Sequence, residues 1–355
     1  MKNTYLLLTL SIVSLLSCKS NSEEETSEKV AQAEQKTTFR IALGSCNRQN
    51  LAQDYWSVIE KDSADIFVWG GDNIYADTQD MELMEAKYDT LKTNNYYTSF
   101  INKLPYGPIG VWDDHDYGKN DAGVEWEYKE EAKSLFMDFF DIDSTHAMTD
   151  RGGIYHSKTI DVGDKRIKFY MLDTRYFRDG LLDAEESKKR YQPHTSADST
   201  LLGDEQWEWL EKEFETSEAD FNIIVSSVQF LSSEHGFETW GNFPHEVEKM
   251  QNLLIEHSLD NILMLSGDRH ISEFSQKKIE GLDYPLTDFT SSGLTHSYTS
   301  FDGEPNKYRE GEVTAQTSYG IVDLDLKNNQ AELKIQSTED GRELQNLKID
   351  FKTTN

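Results

Sequence analysis

Cysteine is almost absent from this chain: there are 2 in 355 residues, Cys18 and Cys46, in unrelated contexts. That scarcity excludes a disulfide-stapled scaffold, and a bridge between the two is not expected because Cys18 lies in a leader-like segment. Positive charge is also scarce. The chain has 35 Lys and Arg against 65 Asp and Glu, a formal net charge of −30. So acidic a surface repels nucleic acid and anionic membrane, and it lacks the Lys/Arg clusters that phosphate-backbone binding needs. It suits divalent cations, and a small or weakly charged substrate better than a polyanion. Beyond Leu16 no apolar run is long enough to span a bilayer. There is no internal repeat, and no Gly/Pro-rich linker within the body of the chain.

Aromatic residues, by contrast, are plentiful. The 17 Tyr, 17 Phe and 7 Trp are expected to fill much of the core. At the amino terminus, Met1-Lys2 precedes the apolar run Tyr5 to Leu16, and Ser17-Cys18 follows. A basic start, a short apolar run and a small residue describe a secretory signal. Leu15-Leu-Ser-Cys18 also resembles the bacterial lipobox, in which the Cys becomes the lipidated first residue; a plain signal with a chance Cys is the alternative. The expected organisation is therefore a lipoprotein signal over 1–18 with Cys18 lipidated, a disordered acidic tether over 19–37, and a folded domain over 38–355. The tether carries Ser22-Glu-Glu-Glu-Thr26 and no aromatic residue, so it has nothing to bury. The expected location is the periplasm or cell surface, with membrane contact only through the lipid on Cys18.

Within the domain one device recurs: a buried strand runs into a glycine turn that delivers a ligand-type side chain at its carboxyl end. Open α/β sheets bind ligands at such ends. Asp65 to Trp69 reads as a buried strand, Gly70-Gly71 turns the chain, Asp72 follows, and Tyr75 is near enough to share what Asp72 holds. An Asp N-cap with a packing Tyr is the plainer reading of that stretch. Thr38 to Leu43 leads through Gly44-Ser45 to Cys46, which could equally be a small buried hydrophobe. Trp112-Asp-Asp-His-Asp116 is the densest acid cluster, and packing it at a strand end costs self-repulsion unless cations neutralise it. His115 there suits an acid/base or ligand role, or a hydrogen-bonded loop position. Asn261 to Leu265 ends in Ser266-Gly-Asp-Arg-His270, whose Asp268 and His270 can point the same way. Arg175, at the end of the strand Arg166 to Leu172, could hold an oxyanion or form a structural ion pair.

Thr38 to Leu43, Gln53 to Lys61 and Asp65 to Trp69 read as strand, helix, strand, as in a βαβ unit. Further strands are predicted over 154–160, 221–230 and 261–265, with helices over 81–102, 125–140, 204–214 and 247–257. Three alternating segments, 319–326, 330–336 and 347–351, predict a closing antiparallel layer. Residues 179–202 read as a long loop over the site.

Taken together and in order, Gly44-Ser-Cys46, Gly71-Asp-Asn-Ile-Tyr75, Trp112-Asp-Asp-His-Asp116, Leu172-Asp-Thr-Arg175 and Ser266-Gly-Asp-Arg-His270 resemble the calcineurin-like metallophosphoesterases, and more closely the PhoD-type alkaline phosphatase family. The resemblance runs from Ile41 onward. It implies an α/β fold of two packed mixed β-sheets flanked by helices. It implies a phosphoric ester hydrolase acting on small phosphate mono- or diesters through a metal-bound hydroxide. It implies that Asp72 bridges two metals, that Cys46, Tyr75 and His270 hold Fe(3+), and that Asp114 and Asp268 hold Ca(2+). His115 would serve the leaving group and Arg175 the phosphate. Thiolate and phenolate suit a ferric ion, and all-oxygen ligation suits calcium. The sequence departs from the wider superfamily where a ligand His is expected: it reads Ser226-Ser-Val-Gln229, and the roles of Gln229, His235 and His245 stay open. Two other readings keep the metals: hydrolysis of a sulfate or phospholipid-headgroup ester, or a surface lipoprotein that binds metal without catalysis.

Overall fold

The computed structural model describes residues 36–185 and 188–351. The leader segment, Cys18 and nearly all of the tether lie outside the described residues. Thr37–Asn355 is one compact unit.

The strands are β1 (Thr38–Gly44), β2 (Ile66–Gly70), β3 (Pro108–Val111), β4 (His156–Val162), β5 (Lys165–Met171), β6 (Leu182–Asp183), β7 (Tyr191–Gln192) and β8 (Phe221–Val225). They continue as β9 (Ile262–Ser266), β10 (Ser272–Lys277), β11 (Leu286–Ser291), β12 (Arg309–Thr314), β13 (Ser318–Asp325), β14 (Gln330–Ser337) and β15 (Glu343–Asp350). One six-stranded sheet has the order β15-β14-β13-β1-β2-β3, and a seven-stranded sheet has the order β12-β10-β11-β9-β8-β5-β4. Both are mixed. In the first, β1, β2 and β3 are parallel; in the second, β5, β8, β9 and β11 are parallel.

The two parallel cores explain the uninterrupted apolar runs. Strands β2, β8 and β9 are buried at every residue, so both faces must be apolar. The sheets approach closely where side chains are small: a Cβ on Gly320 would lie 2.8 Å from Phe289 Cζ of the other sheet. Around β2 the aromatic surplus is spent on one cluster. Trp56 sits against Phe67, Trp69, Tyr97 and Phe100 at centroid distances of 5.0–5.4 Å, and Trp69 Nε1 donates to Tyr97 Oη at 3.1 Å. Buried aromatic pairs of this kind contribute about 0.5–1.5 kcal/mol each beyond their area.

The C-terminal strands β13–β15 are antiparallel, as expected, and close the first sheet, where β13 pairs antiparallel with β1. The structure differs from the sequence expectations in two places. The predicted strand over 221–230 stops at Val225: the Ser226 amide makes the last bond to β9, at the Leu265 carbonyl, and beyond it the Phe230 and Leu231 amides bond the Asp288 carboxylate. The predicted loop over 179–202 carries the short β6–β7 hairpin. Among the described residues, no helix is long and apolar enough to cross a membrane.

Candidate metal centre

The carboxyl ends of β2, β3 and β9 open on one cavity of about 320 Å³, where they place Asp72, Asp114, His115, Asp268 and His270. The end of β1 brings Cys46 beside Asp72. The turns are unusually tight for their residues. Cys46, Asp72, Asp268 and His270 all have positive φ, between 52° and 65°. Non-glycine residues in that region cost about 1–3 kcal/mol each and persist only where the surroundings impose them, most often at functional sites. The glycines explain how the loops come so near one another. A Cβ on Gly71, itself at φ +93°, would lie 2.7 Å from Asp113 Cβ, and one on Gly267 would collide with the Gly70 carbonyl.

Two overlapping groups result. In the first, Cys46 Sγ is 3.4 Å from Asp72 Oδ2, Tyr75 Oη is 3.2 Å from the same oxygen, and Tyr75 Oη is 2.8 Å from His270 Nε2. In the second, Asp72, Asp114 and His115 offer ligand atoms that lie within 4.8 Å of one another, as Cys46, Asp72 and His270 do in the first. Asp72 belongs to both, which is the placement a bridging carboxylate requires. Asp268 lines the same cavity, and its carbonyl faces Cys46 Sγ at 3.6 Å.

The electrostatics show why such a cluster calls for cations. Burial pushes the Cys46 thiol up to about 11 and holds Asp72 and Asp268 well above the usual carboxylate range, with neighbouring acids adding to the shift. Burial would raise Asp114 as well, but Arg175 and His115 outweigh it and hold that carboxyl low. Its Oδ2 accepts from the Asp121 amide at 2.6 Å, while Oδ1 is buried without a hydrogen-bond partner. An orphaned carboxylate oxygen at the cavity, beside a thiol, a phenol and an imidazole, is a donor set that fits metal ions. His115 differs: burial opposes its charge, but Asp72 and the hydrogen bond to Asp77 raise it to about 10. Its Nδ1 lies 2.7 Å from Asp77 Oδ1, leaving Nε2 toward Asp114 at 4.0 Å, and its ring stacks on Tyr75 at 4.0 Å.

Arg175 is placed elsewhere. It is fully buried, donates from Nε to Asp113 at 2.7 Å and from Nη1 to Glu238 at 2.7 Å, and does not line the cavity. Of its two readings, phosphate contact gives way to the structural ion pair. Arg178 joins through Glu238 Oε1 at 3.0 Å, and Asp113 also accepts from Ser227 Oγ at 2.7 Å. The network therefore sits behind Asp114 and fixes its loop. Gln229 is also structural: its Nε2 donates to Glu273 and Thr290, both at 2.8 Å. His245 Nε2 pairs with the Ser199 carbonyl and His235 Nδ1 with the Phe237 amide, so neither joins the ligand cluster.

Several neighbours had no motif to reveal them. Asp77 orients His115. Ser292 Oγ accepts from the His270 amide at 2.7 Å and lies 3.0 Å from Cys46 Sγ, tying two loops together. His296 packs edge-on against both Tyr75 and His270. Arg269 reaches the cavity wall over Phe237, clamped by Glu304 at 2.6 Å. Only Arg269, inside Ser266 to His270, stood next to a legible signal.

Comparison with known proteins bears on this geometry. The family model of the PhoD-like phosphatases matches residues 41–341. Alkaline phosphatase D of Bacillus subtilis (strain 168) is 28% identical over 142 residues, covering 35% of this chain and 24% of that protein. The chain thus spans about a quarter of that relative's length in the matched region. Among solved structures, one described as the structure of PhoD superposes with a TM-score of 0.67 at 16% identity, covering 88% of this chain and 68% of the other. A dimetal phosphatase from Danio rerio superposes at 0.55 with 10% identity, covering 88% and 99%. At such identities the superpositions establish the fold.

Proposed function

Because this chain belongs to the PhoD-like phosphatase family, we propose that it hydrolyses small phosphate mono- or diesters at a two-metal centre. The observation that carries the reading is the convergence of Cys46, Tyr75 and His270 on one side of Asp72 and of Asp114 and His115 on the other.

In this reading Cys46, Tyr75, His270 and Asp72 would hold a ferric ion, and Asp72, Asp114 and Asp268 would hold calcium. The first set is rich in strong anionic donors and the second is all oxygen, which supports that division. Bound cations would supply charge neutralisation at phosphorus and a water of lowered pKa. The remaining work falls to the chain. The buried Arg175–Asp113–Glu238–Arg178 network keeps the Asp114 loop in place. Asp77 holds the His115 imidazole in one orientation, with Nε2 toward the site of reaction, so that a proton on Nε2 can pass to the departing alkoxide oxygen. The positive-φ turns at Cys46, Asp72, Asp268 and His270 and the close approach of the glycine loops bring these side chains to one place. The leader and lipobox-like segment support a protein secreted and tethered through Cys18 at the periplasmic side or cell surface.

The test is Asp72→Asn, assayed on an aryl phosphate and a bis-aryl phosphodiester. The variant should fold as the parent does, since an amide replaces a buried carboxyl of the same shape, and turnover should fall by a hundredfold or more, on the order of other lost electrostatic contacts. Turnover like that of the parent would remove the proposal.

A further inference from the structure

Two cations line the metal cavity, Arg190 and Arg269, and they are held differently. Arg190 has a side chain 53% exposed and is tied to Asp121 at 2.7 Å. Arg269 has a side chain only 9% exposed and is fixed at several points. Its guanidinium carbon lies 4.4 Å from the centroid of the Phe237 ring, its Nη2 donates to Glu304 at 2.6 Å, and its amide donates to the Gly267 carbonyl at 2.8 Å. The segment that carries Glu304 is anchored in turn. The Tyr298 amide donates to the His270 carbonyl at 2.8 Å, and Arg309 donates from Nη1 to the Glu304 carbonyl at 3.0 Å and from Nε to Glu273 at 2.6 Å.

The three guanidinium nitrogens are not equivalent. Nε is enclosed and Nη2 is taken by Glu304, whereas Nη1 is neither enclosed nor hydrogen-bonded among the described residues. Nη1 is therefore the nitrogen left for the cavity that Arg269 lines. A buried guanidinium held in place with one unspent nitrogen calls for an anionic acceptor that the protein does not supply. Arg175, the cation expected at phosphate from the sequence, is spent on Asp113 and Glu238 instead.

We propose that Arg269 Nη1 receives the phosphoryl oxygen that a monoester leaves unsubstituted, and that this chain therefore selects dianionic phosphomonoesters over diesters. The inference rests on the phosphoesterase reading of the same centre. A phosphomonoester presents three strong acceptor oxygens and close to two negative charges near neutral pH. In a diester one of those oxygens carries a second alcohol, and one charge is gone. At the Arg269 wall that exchange sets an uncharged ester group against a guanidinium and leaves Nη1 unpaired. A site built around a hydrogen bond to one group discriminates strongly against an analogue that lacks it. Arg269 contributes recognition and charge; as a guanidinium it releases no proton, and the departing alkoxide is served by His115.

The test compares 4-nitrophenyl phosphate with bis(4-nitrophenyl) phosphate, which share a leaving group, on the metal-loaded protein and its Arg269→Met and Arg269→Lys variants. Metal content is measured on each, and rates are taken per loaded centre. The parent should favour the monoester. Arg269→Met keeps the stem over Phe237 and should lose roughly a hundredfold in kcat/KM on the monoester, the size of one lost charged contact to a reacting phosphoryl group, while the diester stays within about threefold. Arg269→Lys keeps the charge without the planar fork and should lose roughly tenfold on the monoester alone. Calorimetry with phenylphosphonate, a dianion, and its monomethyl ester, a monoanion, should show a preference for the dianion in the parent that falls at least tenfold in Arg269→Met. A parent faster on the diester, equal losses on both esters, or no loss on either overturns the assignment and leaves the phosphoesterase reading intact. The expected phosphonate preference with no turnover of any ester upholds the assignment and overturns the phosphoesterase reading.

Discussion

Replacing Arg175 with Met distinguishes a structural cation from a substrate-binding one. The guanidinium is 0% exposed and joins Asp113, also 0% exposed, to Glu238, 3% exposed. Methionine fills similar volume but leaves both carboxylates without that partner. Removing one member of a buried ion pair costs about 3–5 kcal/mol, because a desolvated charge is left behind. Glu238 keeps Arg178 at 3.0 Å and Asp113 keeps the Ser227 hydroxyl at 2.7 Å, which places the loss near the lower end, about 3 kcal/mol. For a domain of this size each kcal/mol moves Tm by about 2 °C, so a fall of roughly 6 °C is expected. Arg175→Lys should lose about half as much, since one ammonium cannot span both carboxylates as the planar fork does. Scanning calorimetry or urea denaturation reads the stability, and steady-state kinetics on an aryl phosphate reads the rest. Displacement of the Asp114 loop should lower kcat more than it raises KM. An unchanged Tm together with a large rise in KM and weaker inhibition by phosphate would refute the argument and return Arg175 to the substrate.

Two further predictions concern stability alone. Burial lowers His156 to about 4, and its Nδ1 is 2.9 Å from the Ile154 carbonyl. The folded state keeps this imidazole neutral while the unfolded chain protonates it near 6.5, so the contribution is present above about pH 6.5 and is lost as pH falls toward 4. On the order of 3 kcal/mol should disappear across that window, and His156→Gln should flatten that part of the stability–pH curve; identical curves for parent and variant would contradict this. Gly71→Ala should destabilise by about 2–4 kcal/mol in urea titration, because it combines a positive φ with overpacking against Asp113 and Ser227, and an unchanged midpoint would show that the turn relaxes freely.

The parts of the centre that were legible in the sequence share a cause. A strand buried on both faces must be an apolar run, and a glycine at its end marks a turn, so Asp72 and Asp268 could be assigned to strand ends without coordinates; Asp114 was found by the acid cluster that follows a short apolar run. What lay beyond reach depends on contacts distant in the chain. Arg175 looked equally suited to two roles because its partner Glu238 is 63 residues away and has no motif of its own. Asp77 and Ser292 matter only through what the fold brings beside them. Strands β10, β11 and β12 escaped detection because Ser, Glu, Asp and Thr interrupt their apolar pattern. In β10 and β11 several of those polar residues are buried, and their hydrogen bonds, such as Ser266 Oγ to Asp288 Oδ1 at 2.8 Å, replace apolar packing. The positive φ angle at Cys46 had no signal at all, since cysteine rarely adopts it.

The dinuclear centre itself is tested most directly by metal analysis of the purified protein beside Cys46→Ser. The account predicts about two metal ions per parent chain, one of them iron with a visible tyrosinate-to-iron absorption band, and loss of the iron and the band in the variant while the second ion is retained. A parent that holds no metal after growth with iron and calcium supplied, or a variant with unchanged iron, would contradict it.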